Sequence, residues 1–447
     1  MAGPRELLLQ LYEAAVAAAH PDGCLAGHWP RVPQDGRLIV LGAGKAAAAM
    51  AVAAERHYRQ AGVLDRVSGL LTAPYGYAAT LGDKAPSHFR IIEGRHPVPD
   101  AGSVVAATAA LELAATATSA DLVLVLLSGG ASALWAAPAA GLDLDAKTAL
   151  TRGLLKSGAD IHEMNTVRRH LSRIKGGRLA QIACRATRGS VGGAHLLTLA
   201  ISDVPGDDPA TIGSGPTVPD HTSLADALGV IAKRQPRMEL LGLPVPAAIG
   251  RALANAANET AKPGDAAFAR SEYRIVATPA RSLAKACELA ERAGYEVMSL
   301  GDEVTGEARE IAIAHAALAI NASKAHRRLA IISGGELEVT VRHRGGRGGR
   351  SQEYALALAL AIKDTPGIAA IAADTDGIDG GDGRVTDPAG AVVATDTVAK
   401  GAACHLAAQK FLDDNDATPF FEALGDLVLK GPTHTNVNDF RAILVDG

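Results

Sequence analysis

Short apolar runs that stop on glycine-rich or acidic loops recur along the chain. Residues 37–41 lead into Gly42-Ala43-Gly44-Lys45, and residues 121–127 into Ser128-Gly129-Gly130-Ala131-Ser132. Residues 195–201 lead into Ser202-Asp203-Val204-Pro205-Gly206-Asp207-Asp208. Residues 328–332 meet Ser333-Gly334-Gly335-Glu336, and residues 367–373 meet Asp374-Thr375-Asp376-Gly377-Ile378-Asp379-Gly380. Runs of this length between turn formers predict buried parallel strands. In open α/β sheets ligands sit beyond the carboxyl ends of such strands. Backbone amides, one lysine and several aspartates are then sent to the same kind of edge, a set that suits an anionic, metal-bound, phosphorylated substrate.

Between these runs the period is helical. Leu7, Leu8, Leu11 and Ala15 share one face of an amphipathic N-terminal helix. Helices are predicted over 46–60, 101–118, 144–157 and 165–183, with a long irregular loop at 210–221. Residues 222–262 read as helix broken by Pro236, Pro244 and Pro246, a connector between domains. A second α/β set is expected from Tyr273 onward: strand 273–277, helix 280–293, strand 296–300, helix 306–323 and strand 328–332. Residues 337–341 then add an antiparallel strand to that second sheet, helix 352–363 follows, and 440–445 is helix or strand. The fold class is α/β in two domains. Residues 1–240 are expected to make a Rossmann-like domain with a parallel sheet and residues 241–447 a smaller α/β domain.

Composition narrows the function. Hydrophobic residues at 48% with aromatics at only 3% fit Ala/Val/Leu helices on a parallel sheet. A net charge of −4 gives no support for a nucleic-acid partner or a basic membrane face. The cluster Arg342, Arg344, Arg347 and Arg350 is the exception and calls for an anionic partner. Cys24, Cys184, Cys287 and Cys404 form no CxxC pair, which argues against zinc or a disulfide framework and for a reducing, cytoplasmic setting. No apolar run of membrane-spanning length is free of charge or glycine.

The loops supply candidate chemistry. Gly42-Ala43-Gly44-Lys45-Ala46-Ala47 resembles a dinucleotide fingerprint, but no acid follows at the end of a second strand, and it is not a Walker A loop. What it offers is a helix N-terminus whose amides and Lys45 hold an anion, against the plainer reading of a tight turn with a surface lysine. Ser128, Gly129 and Gly130 suggest a nest of amides, or a turn that merely packs closely. Arg350, after Gly348-Gly349 and at the start of a helix, suits bidentate capture of carboxylate or phosphate. Asp203, Asp207 and Asp208, and the set Asp374, Asp376, Asp379 and Asp382, suit partly hydrated Mg²⁺ beside phosphates, although a capping role is equally open to each. His96, His170 and His434 lack ligand spacing. The polar segment 431–439, with Asn436 and Asn438, is denser in hydrogen-bonding side chains than a plain loop.

In order along the chain, these segments resemble the glycerate 2-kinase family, whose C-terminal region is the MOFRL domain. The matching residues include Gly42-Ala43-Gly44-Lys45, His96-Pro97-Val98-Pro99-Asp100, Ser128-Gly129-Gly130, Ser202-Asp203-Val204 and Ser214-Gly215-Pro216-Thr217. They continue through Gly334-Gly335-Glu336, Gly348-Gly349-Arg350, Thr375-Asp376-Gly377 and Thr435-Asn436-Val437-Asn438-Asp439. The resemblance implies two α/β domains around a cleft that holds the active site, and ATP- and Mg²⁺-dependent phosphorylation of D-glycerate to 2-phosphoglycerate. It implies Lys45 and Arg350 as active-site residues. From the position of the aspartates just past strand ends, Asp203 is expected to be catalytic, and Asp203, Asp376 and Asp379 to hold Mg²⁺. Gly42, Gly44, Ser128, Gly129, Gly130, Asp207, Gly334, Gly335, Glu336, Asp376, Asn436 and Asn438 would bind substrate or ATP. A homodimer is left open. Ala131, Ser351 and His434 depart from the family's usual SGGGSAL, GGRNQE and GPTGTN. The competing readings are an NAD(P)H-dependent hydroxypyruvate reductase and a non-catalytic sugar-acid-binding protein.

Overall fold

The computed structural model describes residues 3–185, 192–343, 345–381 and 383–447. Arg344 and Asp382, both in the candidate clusters, lie outside the described residues. The chain divides into two compact units, Leu25–Val276 and Met1–Cys24 with Ala277–Gly447.

The first unit (Leu25–Val276) is built on six strands: β1 (Leu38–Ala43), β2 (Val67–Pro74), β3 (Arg90–Gly94), β4 (Leu122–Leu127), β5 (His195–Ile201) and β6 (Ser271–Ala277). Their order is β3-β2-β1-β4-β5-β6, and β1 to β5 pair in parallel throughout. The order in which the chain adds strands reverses between β1 and β4, the switch point at which doubly wound folds bind ligands. Every residue of β1 is buried, as expected of a strand covered on both faces by helices such as Ala47–Gln60 and Ala101–Ala115.

The second unit carries β7 (Glu296–Ser299), β8 (Gly306–Glu307), β9 (Arg328–Ser333), β10 (Leu337–Glu338), β11 (Ile368–Asp374), β12 (Gly390–Ala394), β13 (Leu427–Val428) and β14 (Asp439–Asp446). Its main sheet has the order β13-β12-β11-β14-β9-β7. Only β7 and β9 pair in parallel; β14 runs antiparallel to both β9 and β11, and β12 antiparallel to β11 and β13. The run before Asp374 is therefore antiparallel to both its neighbours, and the run before Ser333 is parallel on its β7 side only, so neither is a strand of an all-parallel sheet. Periodicity reports burial on two faces and carries no strand direction. The consequence is chemical: antiparallel β14 sets its first residue, Asp439, opposite Asp374, the last of β11.

The boundary differs from the expected break at 240/241 for three reasons. β6 joins the edge of the first sheet beside β5 instead of opening the second. The supposed connector forms helices Leu224–Leu240 and Ala247–Ala254, which bury Ala227, Ile231, Met238 and Leu253 against Leu150, Leu154 and Met164. Pro236 is accommodated inside the first of them. Third, the N-terminal helix Pro4–Ala19 buries Leu8, Leu11 and Ala15 against Ala286, Ile332 and Phe440 of the second unit. Two smaller corrections follow. Residues 165–183 are not one helix but Ile161–His170 and Arg178–Ala183, with left-handed Gly176 and Gly177 between them. Residues 337–341 do not extend the main sheet; β10 pairs in parallel with β8 as a separate two-stranded piece.

Candidate functional site

At the switch point of the first unit, the loops after β1 and β4 interlock. Lys45 N donates to Gly129 O at 2.8 Å, Ala46 N to Ser128 Oγ at 2.9 Å, and Ser128 N to Ala43 O at 3.1 Å. Gly44 has φ +138°, and a Cβ there would meet Ser128 Oγ at 2.1 Å, so only glycine permits this approach. The helix N-terminus after Lys45 thus spends its first amides on the neighbouring loop. The expected amide cradle shifts to Gly129 and Gly130, whose N–H groups have no acceptor among the described residues. The Lys45 stem and the His96 ring flank this pair: a Cβ on Gly130 would lie 3.6 Å from Lys45 Cγ and 3.3 Å from His96 Nε2. Ser128 is buried and committed to capping Ala46, and Gly42 lies inside β1 between Leu71 and Leu126, so both serve packing.

Beyond β5, Asp203 is half-buried, and Asp207 adopts φ +55° with a buried Oδ1 that has no hydrogen-bond partner among the described residues. Tyr273, on β6, places a buried hydroxyl without a hydrogen-bond partner near this loop. Burial, then the charges of Asp208 and Asp203, raise its pKa above the ordinary phenol range. Sequence reasoning missed Tyr273 because β6 was assigned to the other sheet. Asp208 accepts from Ala210 N and Thr211 Oγ1, an Asx-turn role.

In the second unit, the ends of β9 and β11 and the start of β14 gather around Arg350. Its Nε donates to Asp439 Oδ1 at 2.7 Å, its Nη2 to Asp374 Oδ2 at 2.8 Å, and its Nη1 pairs with Glu336 Oε1 at 3.1 Å. Burial works against this charge, but Asp439, Asp374 and Glu336 hold the guanidinium well above its ordinary pKa. Arg441 donates to Asp439 Oδ2 at 3.1 Å, to Ser333 Oγ at 3.1 Å and to Gly334 O. Gly335 O accepts from Asp439 N at 3.1 Å. Burial raises the pKa of Asp439, against the pull of both arginines. The described members of the arginine cluster have separate partners: Arg347 pairs with Glu422, while the Arg342 amide donates to Asn415 Oδ1.

Asp379 caps a helix. Its oxygens accept from Ser351 N at 2.9 Å and Gln352 N at 2.8 Å, at the start of helix Arg350–Ile362. Burial pushes its pKa up to about 7, opposed by those amides. Asp376 Oδ1 accepts from Ile378 N at 2.8 Å, and its backbone O from Thr433 N. Asn436 Oδ1 accepts from Asn438 N at 3.3 Å. Asn438 Nδ2 and Ser351 Oγ are buried without partners. Burial, then His20, lowers His434 to about 4, so its ring is neutral at pH 7. Among the described residues no three His, Cys, Asp or Glu side chains form a group able to hold a metal.

These features define a two-unit α/β protein with an amide-and-lysine loop at the switch point of a parallel sheet and an arginine–carboxylate centre in a mixed one. Residues 7–242 match the family described as "Domain of unknown function (DUF4147)", and residues 329–439 match the "MOFRL family". The chain belongs to the glycerate 2-kinase family of enzymes. It is 34% identical to "D-glycerate 2-kinase" of Thermotoga maritima, over 97% of each chain. A crystal structure of glycerate kinase from the same organism superposes with a TM-score of 0.82 at 33% identity, covering 99% of both chains. A protein of Agrobacterium vitis named "Putative hydroxypyruvate reductase" is 43% identical over 99% of this chain and 94% of its own. No helix among the described residues is long and apolar enough to cross a membrane.

Proposed function

We propose that this enzyme transfers the terminal phosphoryl group of ATP to the 2-hydroxyl of D-glycerate, giving 2-phospho-D-glycerate and ADP, in the cytoplasm and with Mg²⁺. The observation that carries the reading is the switch-point loop, where Lys45 flanks two glycine amides that lack acceptors. The kinase names of relatives matched over their full length support the choice of substrate. Phosphoryl transfer asks a protein for positioning and charge neutralisation more than for covalent chemistry. Lys45 neutralises charge on the transferring group, and the Gly129 and Gly130 amides orient its oxygens.

Mg²⁺, when bound, supplies further neutralisation of the phosphate oxygens. It commonly takes only one or two carboxylates beside phosphates and water. Within the first unit, Asp207 Oδ1, buried without a partner among the described residues, fits such a donor set, with Asp203 in the same loop. Asp376 is a separate candidate within the second unit. Asp379 does not fit as well, because both its oxygens are spent on helix amides. Arg350 meets an anionic ligand by exchanging Glu336, whose side chain is 55% exposed, while Asp374 and Asp439 keep the guanidinium in place. Asn438 Nδ2 and Ser351 Oγ are donors still in want of an acceptor.

The name carried by the Agrobacterium vitis relative favours a reductase as the second reading. Against it, β2 ends at Pro74 and continues into Tyr75-Gly76-Tyr77, so the chain itself has no acidic residue at the end of the second strand, where a dinucleotide-binding unit carries its ribose carboxylate. ADP release that requires D-glycerate and Mg²⁺ supports the kinase. Oxidation of NADH by hydroxypyruvate without ATP would replace it with the reductase.

A further inference from the structure

The glycine pair Gly129-Gly130 is tied at both ends. On one side Ser128 N donates to Ala43 O, and Ser128 Oγ accepts from Ala46 N. On the other, Ser132 is held by Lys175, a lysine only 2% exposed. Its Nζ donates to Ser132 O at 2.7 Å, to Ser132 Oγ at 3.3 Å and to Gly213 O at 3.5 Å. Ser132 belongs to the one-turn helix Ala131–Leu134, which Gly130 opens in the left-handed region at φ +85°. So short a helix leaves its carbonyls without intrahelical donors, and a cation suits that end of it.

The segment that carries Lys175 is itself fixed. Lys175 N donates to Ser172 Oγ at 3.3 Å, Gly176 N to Ser214 O at 3.1 Å and Gly177 N to Gly215 O at 2.7 Å. Gly177 has φ +77°, and a Cβ there would lie 2.8 Å from Val218 O, so glycine is what lets this segment press on the loop that follows β5. Within that loop Ser214 Oγ lies 2.8 Å from Ser132 Oγ and donates to Asn165 Oδ1 at 3.2 Å. One side chain thus joins the loop after β4 to the loop after β5. No carboxylate pairs with Lys175 among the described residues. A buried ammonium without a counter-ion is costly, and an apolar side chain of like volume would fill the space without that cost. What it could not do is donate to Ser132 O and Gly213 O.

We propose that Lys175 is a positioning residue for phosphoryl transfer: by holding Ser132 against Gly213 it fixes the direction of the Gly129 and Gly130 amides. It acts through the loop, and the inference rests on the kinase reading for what those amides orient.

Two readouts on the full chain test this, with Lys147→Met as the control. Lys147 is also buried, but it donates to Leu171 O at 3.2 Å and to neither loop. Native-state hydrogen exchange over residues 128–134, read by mass spectrometry, should quicken at least about fivefold in Lys175→Met and keep the parent's rate in Lys147→Met. With ATP, Mg²⁺ and D-glycerate, kcat per folded molecule should fall at least about tenfold in Lys175→Met, with KM changed far less, and hold in Lys147→Met. Lys175→Gln keeps a shorter, neutral donor and should fall between the two; it decides the matter if the methionine variant does not fold. A lysine that only stabilises the fold would lower the melting temperature and leave kcat per folded molecule intact. That result overturns the proposal, and so does unchanged exchange over residues 128–134. A parent without kinase activity would reject the proposed function, and the exchange readout would then uphold or overturn the anchoring of the glycine loop by itself.

Discussion

The two units hold their buried cations in opposite ways. In the first, Lys147 donates to Leu171 O and Lys175 to Ser132 O, Ser132 Oγ and Gly213 O, with no acid among their partners in the described residues. In the second, Arg350 is ringed by Asp439, Asp374 and Glu336. An arginine saturated by three carboxylates is an organiser of acids before it is a receiver of anions. Lysines held by carbonyls and a hydroxyl lack a counter-ion, and burial lowers their pKa. The contrast teaches that a basic residue at a glycine-rich loop has no fixed role until its counter-charges are known.

The largest effect should come from breaking the saturated centre. Arg350→Ala leaves Asp439, wholly buried at its side chain, and Asp374 with fewer partners, and should cost about 3–5 kcal/mol in urea unfolding. Arg350→Lys keeps the charge but loses the fork, so it should harm stability and turnover far more than Arg342→Lys. Equal, mild effects at the two positions would reduce Arg350 to a surface cation.

Next in size is Lys45→Ala, expected to lower turnover by at least about a hundredfold with unchanged unfolding, as when transition-state charge stabilisation is removed. Near-normal turnover would remove Lys45 from the chemistry.

The contrast also sets opposite pH slopes. Asp379 is raised from 3.8 to about 7, so the folded state holds its proton longer. Its stabilisation is fully present below pH 3.8 and is lost as pH rises through about 7. Lys147 is lowered from 10.5 to about 7, so the unfolded chain binds the proton more tightly, and stability should rise between about pH 7 and 10.5. Asp379→Asn should flatten the first slope and Lys147→Met the second, read as unfolding free energy against pH. The reverse pairing would show that the charge environments are misassigned.

Smallest is Glu336→Gln. With its side chain 55% exposed, the pair to Arg350 should contribute under about 1 kcal/mol. A larger loss would mean that Glu336 is as fixed as Asp374 and is not the exchangeable partner.

Much of this was legible in the chain. β1, β4 and β5 and the loops ending them follow from apolar runs broken by glycine and aspartate, as does the buried face Leu7, Leu8, Leu11 and Ala15. Strand direction was not legible, because burial on both faces looks the same for parallel and antiparallel strands. The meeting of Asp439 with Asp374, and hence the saturation of Arg350, depended on that direction. Asp379 was read as a metal candidate because nothing in a sequence shows that a carboxylate will cap a helix beginning 29 residues before it (379 − 350). Tyr273 was hidden by the same boundary that misplaced β6.

The most direct measurement is the product formed from ATP, Mg²⁺ and D-glycerate, with the phosphate position read by NMR. The account predicts 2-phospho-D-glycerate in amounts equal to the ADP released. Unchanged glycerate with intact ATP, or phosphate on the 3-hydroxyl, would contradict it.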